Sequence, residues 1–252
     1  MTGKPSPPAL AAARLLAARE QAAGVPSRDI VPADRDGAFA IQDATVAKRG
    51  AIGGWKVGAK GIATEPSCAP LPAAGILSSS AVLQGARWQL RGVELEVAFR
   101  LGRDLDPRGR MLSRAEIAAA IDQVLPAIEV VETRLADWRQ SAPLAQLADL
   151  QSHGALVLGA PAGVAPASVD LRELKAYLAF DGQAVASAHG ANPAADVWRL
   201  LAWLALHCSE RGSPLRAGQV VTTGSCTGML FAPEGAAVLG QLAGIGQVEL
   251  RF

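Results

Sequence analysis

The stretch Val93-Glu94-Leu95-Glu96-Val97-Ala98-Phe99 constrains this chain most, because it sets two carboxylates two residues apart inside an apolar, β-branched and aromatic run. In a strand, side chains alternate between faces, so Glu94 and Glu96 project together from one face while Val93, Leu95, Val97, Phe99 and Leu101 line the other. Two negative charges side by side repel, and burial sharpens the repulsion unless a cation lies between them. A hard divalent ion suits that position. The pattern also has an ordinary reading, since a strand with one solvated face carries Glu at every second position too.

With 252 residues, half of them hydrophobic, the chain can bury a sizeable core. It reads as a helical N-terminal region, residues 1–60, followed by a β body over residues 61–252 that is expected to be the catalytic domain. The 24 basic and 23 acidic residues are spread along the sequence and leave a net charge of +1, so no electrostatic footprint for nucleic acid or anionic lipid is present. Small molecules and further copies of the chain are the expected partners. Cys68, Cys208 and Cys226 are odd in number and far apart, which argues against a disulfide framework or a thiolate zinc site and for a cytoplasmic protein. The Ala-rich segment 8–23 is interrupted by Arg14, Arg19 and Glu20, unlike a signal peptide, and no window is apolar for long enough to span a membrane.

Helices are expected over residues 9–23 and 37–48, then a strand at Gly53-Gly54-Trp55-Lys56-Val57-Gly58 and a loop over 64–75, where Pro66, Pro70 and Pro72 cluster. Ser113-Arg114-Ala115-Glu116 has the spacing of a capping box before an Ala-rich helix that Pro126 ends. Ala127-Ile128-Glu129-Val130-Val131-Glu132 reads as a strand with an embedded carboxylate. Short strands recur within 154–159 and 173–185. Asn192-Pro193 reads as the cap and first residue of a helix whose Val197, Leu200, Leu201, Leu204 and Cys208 share a face, closed by Gly212. The tail, 219–252, alternates apolar runs with glycines in the manner of all-β segments. Because strands and helices do not alternate regularly, a doubly wound sheet is not expected. The pattern favours an α+β fold around a rolled or sandwiched mixed sheet.

The sequence contains no G-x-S-x-G elbow, P-loop, H-E-x-x-H helix or strand-borne G-x-G-x-x-G fingerprint. His153, His189 and His207 are candidates for acid and base work, each with a structural alternative, and Asp149, Glu132 and Asp137 read as residues that cap, pair or face water. There remain Glu94, Glu96 and Glu129, three carboxylates that with waters satisfy an octahedral magnesium or manganese ion. Its open positions suit the keto and carboxylate oxygens of a 2-oxo acid, with Lewis-acid stabilisation of the enolate as the core step.

Several segments together resemble the 2-keto-4-pentenoate hydratase and 4-oxalocrotonate decarboxylase branch of the fumarylacetoacetate hydrolase family. They are Gly54-Trp55-Lys56-Val57-Gly58, the run from Val93 through Leu105, Pro126-Ala127-Ile128-Glu129-Val130-Val131-Glu132-Thr133-Arg134, Ala148-Asp149, the helix after Asn192-Pro193, and Ala217-Gly218-Gln219-Val220-Val221-Thr222-Thr223-Gly224-Ser225. The resemblance implies a mixed β-roll with N-terminal helices, assembled as a homo-oligomer. It implies that Glu94, Glu96 and Glu129 ligate Mg2+ or Mn2+, that Lys56 is catalytic as a general acid or a carboxylate anchor, and that Thr223, Gly224 and Ser225 hold the substrate. The implied activity is a hydro-lyase adding water to a 2-hydroxydienoate in aromatic catabolism. The alternatives are decarboxylation of the related 2-oxo diacid, or a non-catalytic binding subunit partnered with an active enzyme. One departure stands out: where hydratases of this branch carry Pro-Asp-aromatic-Gly, this chain has Pro72-Ala73-Ala74-Gly75, and alanine cannot transfer a proton or orient a water.

Overall fold

A computed structural model describes residues 7–252. Its helices are α1 (Pro7–Gln21), α2 (Arg35–Val46), α3 (Arg114–Ala118), α4 (Pro143–Ala148) and α5 (Val197–Glu210). Its strands are β1 (Ile52–Gly58), β2 (Ser67–Pro72), β3 (Ile76–Ser78), β4 (Ala81–Val82), β5 (Gly92–Leu101), β6 (Ile121–Val131), β7 (His153–Leu158), β8 (Lys175–Phe180), β9 (Gln183–His189), β10 (Val220–Ser225), β11 (Leu230–Phe231), β12 (Ala237–Leu242) and β13 (Gly246–Arg251). A large sheet runs β2-β1-β10-β5-β6-β7-β3 with β11 beside β5, and a smaller one runs β4-β13-β12-β8-β9. Both are mixed: β1 with β10, β3 with β7 and β4 with β13 are parallel pairs.

The large sheet is rolled, and a single contact shows how far. Lys56 on β1 and Glu129 on β6 have β10 and β5 between them, a separation of roughly 14 Å in a flat sheet. The Lys56 Nζ nevertheless lies 2.5 Å from Glu129 Oε1. Leu71 of β2 and Leu156 and Leu158 of β7, near opposite ends of the strand order, share one buried cluster with Ala98, Leu125, Ala127 and Val220. The concave face is therefore apolar at one end, and Glu94, Glu96 and Glu129 continue the same side of β5 and β6 toward the other end.

The convex face packs against the smaller sheet. Leu95, Val97, Ile128 and Val130 join Leu178, Val238, Val248 and Leu250 in the main core. Gly240 permits this approach, because a Cβ there would come within 2.6 Å of Leu95 Cδ1. Helix α5 adds Val197, Leu200, Leu201, Leu204 and Cys208, the face expected from the sequence. Gln42 of α2 ties the N-terminal helices to the body by donating from Nε2 to the carbonyls of Cys68 and Leu147. The region 1–60, read as helical, thus holds α1 and α2 but also β1, an inner strand of the roll.

Three local expectations differ from the structure. The loop expected over 64–75 contains β2, whose Pro70 and Pro72 are tolerated because β2 is an edge strand with a free side. The capping box of Ser113 and Glu116 is present, but the helix it starts ends at Ala118, and Pro126 lies inside β6. Pro126 accepts from the Gly159 N–H just beyond the last residue of β7, so the missing amide costs the sheet one reciprocal bond at a place where pairing is already ending. Helix α5 is capped by Asp196, whose Oδ1 accepts from Trp198 and Arg199, and not by Asn192.

Candidate functional site

Register brings the carboxylates together. Glu94 on β5 stands directly opposite Glu129 on β6, Glu96 lies two residues further along β5, and single oxygens of all three lie within 4.8 Å of one another. Glu96 and Glu129 are buried and Glu94 is half-buried. Lys56 enters from β1, where Trp55 and Val57 turn to the core and the alternate residue faces the concave side. Its Nζ bridges Glu129 Oε1 and the carbonyl of Gln151, 3.2 Å away. His153, the first residue of β7, approaches the same Glu129 Oε1 with Nδ1 at 3.3 Å. The remaining Glu129 oxygen, Oε2, is buried with no hydrogen-bond partner among the described residues.

Without another cation, two of the three acids are held toward their protonated forms. Burial would push the Lys56 ammonium down, but Glu129, Glu94 and Glu96 outweigh it and hold the group above its ordinary value. Burial likewise opposes ionisation of Glu129, yet Lys56 and His153 keep that carboxyl below its usual range. Lys56 and Glu129 are thus a charged pair, and the other two acids are left over. Glu94 is raised to about 7 by burial and by Glu129, against Lys56. Glu96 is driven well above its ordinary value by burial, Glu129 and Glu94, although the Gly224 N–H donates to its Oε2 at 2.9 Å. Burial drives His153 down to about 4, so it faces Glu129 as a neutral imidazole.

A cavity of about 190 Å³ opens over these groups, lined by Lys56, Glu94, Glu96, Glu129, Gln151, Gly224 and Ser225 among others. A neighbouring hollow of about 360 Å³ shares Glu94, Lys60 and Gln151 with it and adds Arg35, Trp138 and Met229. Gly224 reaches Glu96 through a left-handed backbone, φ 88°, that favours glycine. Of the three residues expected at the substrate, Gly224 and Ser225 line the cavity and Thr223 does not. The Thr223 Oγ1 is buried and donates to the Val97 carbonyl, and the break in register between Thr222 and Ser225 at the left-handed Gly224 is what lets Ser225 as well as Gly224 face the cavity.

Three contributors were not assigned to the site by sequence. Asn192, read as a helix cap, donates from Nδ2 to the carbonyls of Thr223 and Gly224 and so fixes the turn that serves Glu96. Gln151 supplies a carbonyl to Lys56 from a turn in which Leu150, Gln151 and Ser152 all have positive φ, 49°, 51° and 58°. Arg134 holds that turn, bonding the Asp149 carboxylate and the carbonyls of Asp149, Glu132 and His153. His153 was one of three candidates. His207 instead stacks on Trp203 at 4.5 Å, and His189 is exposed on the β8–β9 hairpin beside Glu173. Asp137 and Glu132 accept from Ser27 and from the backbone of Leu90 and Arg91, the pairing roles expected of them.

Comparison with known proteins gives a consistent picture. Residues 50–252 match the model of the fumarylacetoacetate (FAA) hydrolase C-terminal family. The chain is 34% identical over 160 residues to a 2-keto-4-pentenoate hydratase of Paraburkholderia xenovorans, a match covering 64% of this chain and 58% of that protein. Over 250 residues it is 32% identical to the TodF product hydratase of Pseudomonas putida F1, covering 94% and 91% of the two chains. Its fold superposes with a TM-score of 0.83 on a 4-oxalocrotonate decarboxylase from Pseudomonas putida G7 complexed with magnesium and adipate, at 22% identity over 97% of each chain.

Proposed function

Starting from the fact that this chain belongs to the fumarylacetoacetate hydrolase family, we propose that it is a divalent-metal-dependent lyase that adds water to a 2-hydroxydienoate, with Glu94, Glu96 and Glu129 as the ligands. The observation that carries the reading is the convergence of three carboxylates on an open cavity with one buried oxygen, Glu129 Oε2, left without a partner. An all-oxygen donor set suits a hard ion such as Mg2+ or Mn2+. A bound ion there supplies Lewis acidity toward the vicinal oxygens of a 2-oxo acid. Hydratases at 34% and 32% identity support the reaction, and the magnesium complex of a protein of the same fold supports the ion.

The chain's own residues have separable tasks. Lys56 Nζ, charged and facing the cavity, can anchor a substrate carboxylate or donate a proton. Its pairing with Glu129 Oε1, shared with His153, leaves Oε2 directed to other work. Gly224 N–H and Asn192 hold Glu96 and the cavity wall in place.

A second reading, decarboxylation of a 2-oxo diacid, is favoured by two observations. Alanines occupy positions 73 and 74 where the resembled hydratases have an acid and an aromatic residue, and Arg35 and Lys60 line the adjoining hollow, where a second carboxylate would find positive charge. Incubating the Mg2+-loaded protein with 2-hydroxypenta-2,4-dienoate and, separately, with 4-oxalocrotonate distinguishes them. A 4-hydroxy-2-oxo acid supports hydration, and carbon dioxide supports decarboxylation. Failure of both substrates to react in a metal-dependent way contradicts the lyase reading and leaves a binding subunit.

The proposal extends to a homo-oligomeric, cytoplasmic protein. The assembly rests on the family resemblance, and the compartment on Cys68, Cys208 and Cys226 being buried free thiols. No helix among the described residues is long and apolar enough to cross a membrane.

A further inference from the structure

Behind the His153–Gly154 backbone lies a second hollow, of about 340 Å³, between the C-terminal end of α1, the segment 87–90 and the segment 132–140. Arg19, Arg87, Arg134 and Arg139 line it, and Arg49 stands near enough to act on Arg19 electrostatically. Arg134 is fully engaged by Asp149 and three carbonyls. The others are not. Arg19 makes one bond, from Nη2 to the Gly154 carbonyl at 3.0 Å. Arg87 lies 4.7 Å over the Trp88 ring, and Arg139 lies over Trp138 and Phe231.

Among the described residues, no ion pair reaches Arg19, Arg49, Arg87 or Arg139. Among the described residues the one acid in the wall is Glu132, which spends its carboxylate on the backbone N–H groups of Leu90 and Arg91. Burial together with Arg134, Arg49 and Arg87 lowers Arg19 to about 9 against the opposing attraction of Asp149, and burial with Arg134 and Arg87 lowers Arg49 to about 10. The indole Nε1 of Trp88, a wall residue, is buried without a hydrogen-bond partner among the described residues. Arg19 and Arg49 are half-buried while Arg87 and Arg139 are exposed at the rim, and like charges gathered in this way cost stability unless something negative sits among them.

We infer that this hollow is a binding site, separate from the carboxylate cluster, for a small organic anion bearing two or more negative charges on phosphate or carboxylate groups. Guanidinium forks match either oxyanion in two-pronged geometry. Ala18, Ala22, Trp88 and Leu135 offer an apolar wall to a compact body, and the volume is in the range of small-molecule sites. The site adjoins the cluster through the backbone, since Arg19 and Arg134 hold the carbonyls of Gly154 and His153.

The test is calorimetry and thermal melting of the metal-free 252-residue chain with inorganic phosphate and with phthalate, at ionic strength fixed by sodium chloride. The comparison protein is Arg49→Gln/Arg87→Gln: Arg87 lines the hollow and Arg49 stands just outside it, and among the described residues neither side chain makes a hydrogen bond, Arg87 only stacking on Trp88. The wild type is expected to bind at least one probe and to melt higher with it. The double variant is expected to bind at least tenfold more weakly and, without anion, to melt at the same temperature as the wild type or above it. Stronger binding of phosphate than of phthalate assigns a phosphate-bearing ligand, and the reverse a carboxylate. If the double variant does not fold, Arg139→Gln, altered at an exposed position, takes its place with the same expected weakening. Absence of binding by the wild type beyond matched chloride, including the case in which a second copy's acidic side chains fill the hollow, overturns the inference, and so does equal binding by the variants.

Discussion

Glu129 is the residue on which the site turns, because one of its oxygens is held by Lys56 and His153 while the other has no partner. Removing the lysine charge makes the cluster more negative, so Lys56→Met is expected to bind Mn2+ at least as tightly as the wild type while losing turnover by about 100-fold or more. Calorimetry and initial rates on the same preparation check this, and parallel loss of both properties would mean that Lys56 shapes the metal site itself. Glu94 sets a pH dependence. Its carboxyl is raised from 4.5 to about 7 in the folded protein, so the fold holds a proton there that the unfolded chain has released. The stability contributed by that proton is present below pH 4.5 and is lost as pH rises through about 7, an effect on the order of 3 kcal/mol. Metal-free protein should therefore melt lower at pH 8 than at pH 6, and Glu94→Gln should show a smaller drop. A drop of equal size in the variant would place the dependence elsewhere.

At the scale of elements, the E-x-E strand and the strand bearing Glu129 were legible, because alternation in β5 and the β-branched run in β6 are local signals. Their partnership was not, since nothing within either segment states that Glu94 faces Glu129 across the ladder. Asn192 was misread for a related reason: a helix N-cap and a side chain reaching β10 look alike in sequence, and only the fold puts Thr223 and Gly224 beside it. The turn Leu150–Ser152 could not be read at all. Three successive left-handed residues without glycine cost roughly 1–2 kcal/mol each, and they persist because Arg134 and Asp149, 6% and 1% exposed, tie both flanks. Arg134→Ala leaves Asp149 buried without its partner and should cost about 3–5 kcal/mol in urea unfolding. It should also lower turnover, because the Gln151 carbonyl and His153 lose their support. A loss under 1 kcal/mol would show that the turn holds itself.

At the scale of the molecule, the roll does what no segment can, bringing Lys56 within 2.5 Å of a residue three strands away. The α+β class and the rolled sheet followed from irregular alternation of elements and from the family resemblance, whereas Pro126 inside β6 and Pro70 and Pro72 in β2 did not, since proline marks breaks unless the surrounding sheet supplies an edge or an ending ladder. A cation that binds only the folded roll stabilises it in proportion to the logarithm of its concentration over its Kd, about 2.7 kcal/mol at a hundredfold excess. The central claim is that Glu94, Glu96 and Glu129 together hold one divalent ion, and titration of Mn2+ into wild type, Glu96→Gln and Glu129→Gln by electron paramagnetic resonance measures it directly. The account predicts one tightly bound Mn2+ per chain in the wild type and affinity at least 100-fold weaker in each variant. Unchanged Mn2+ binding in both variants, or none in the wild type, would contradict it.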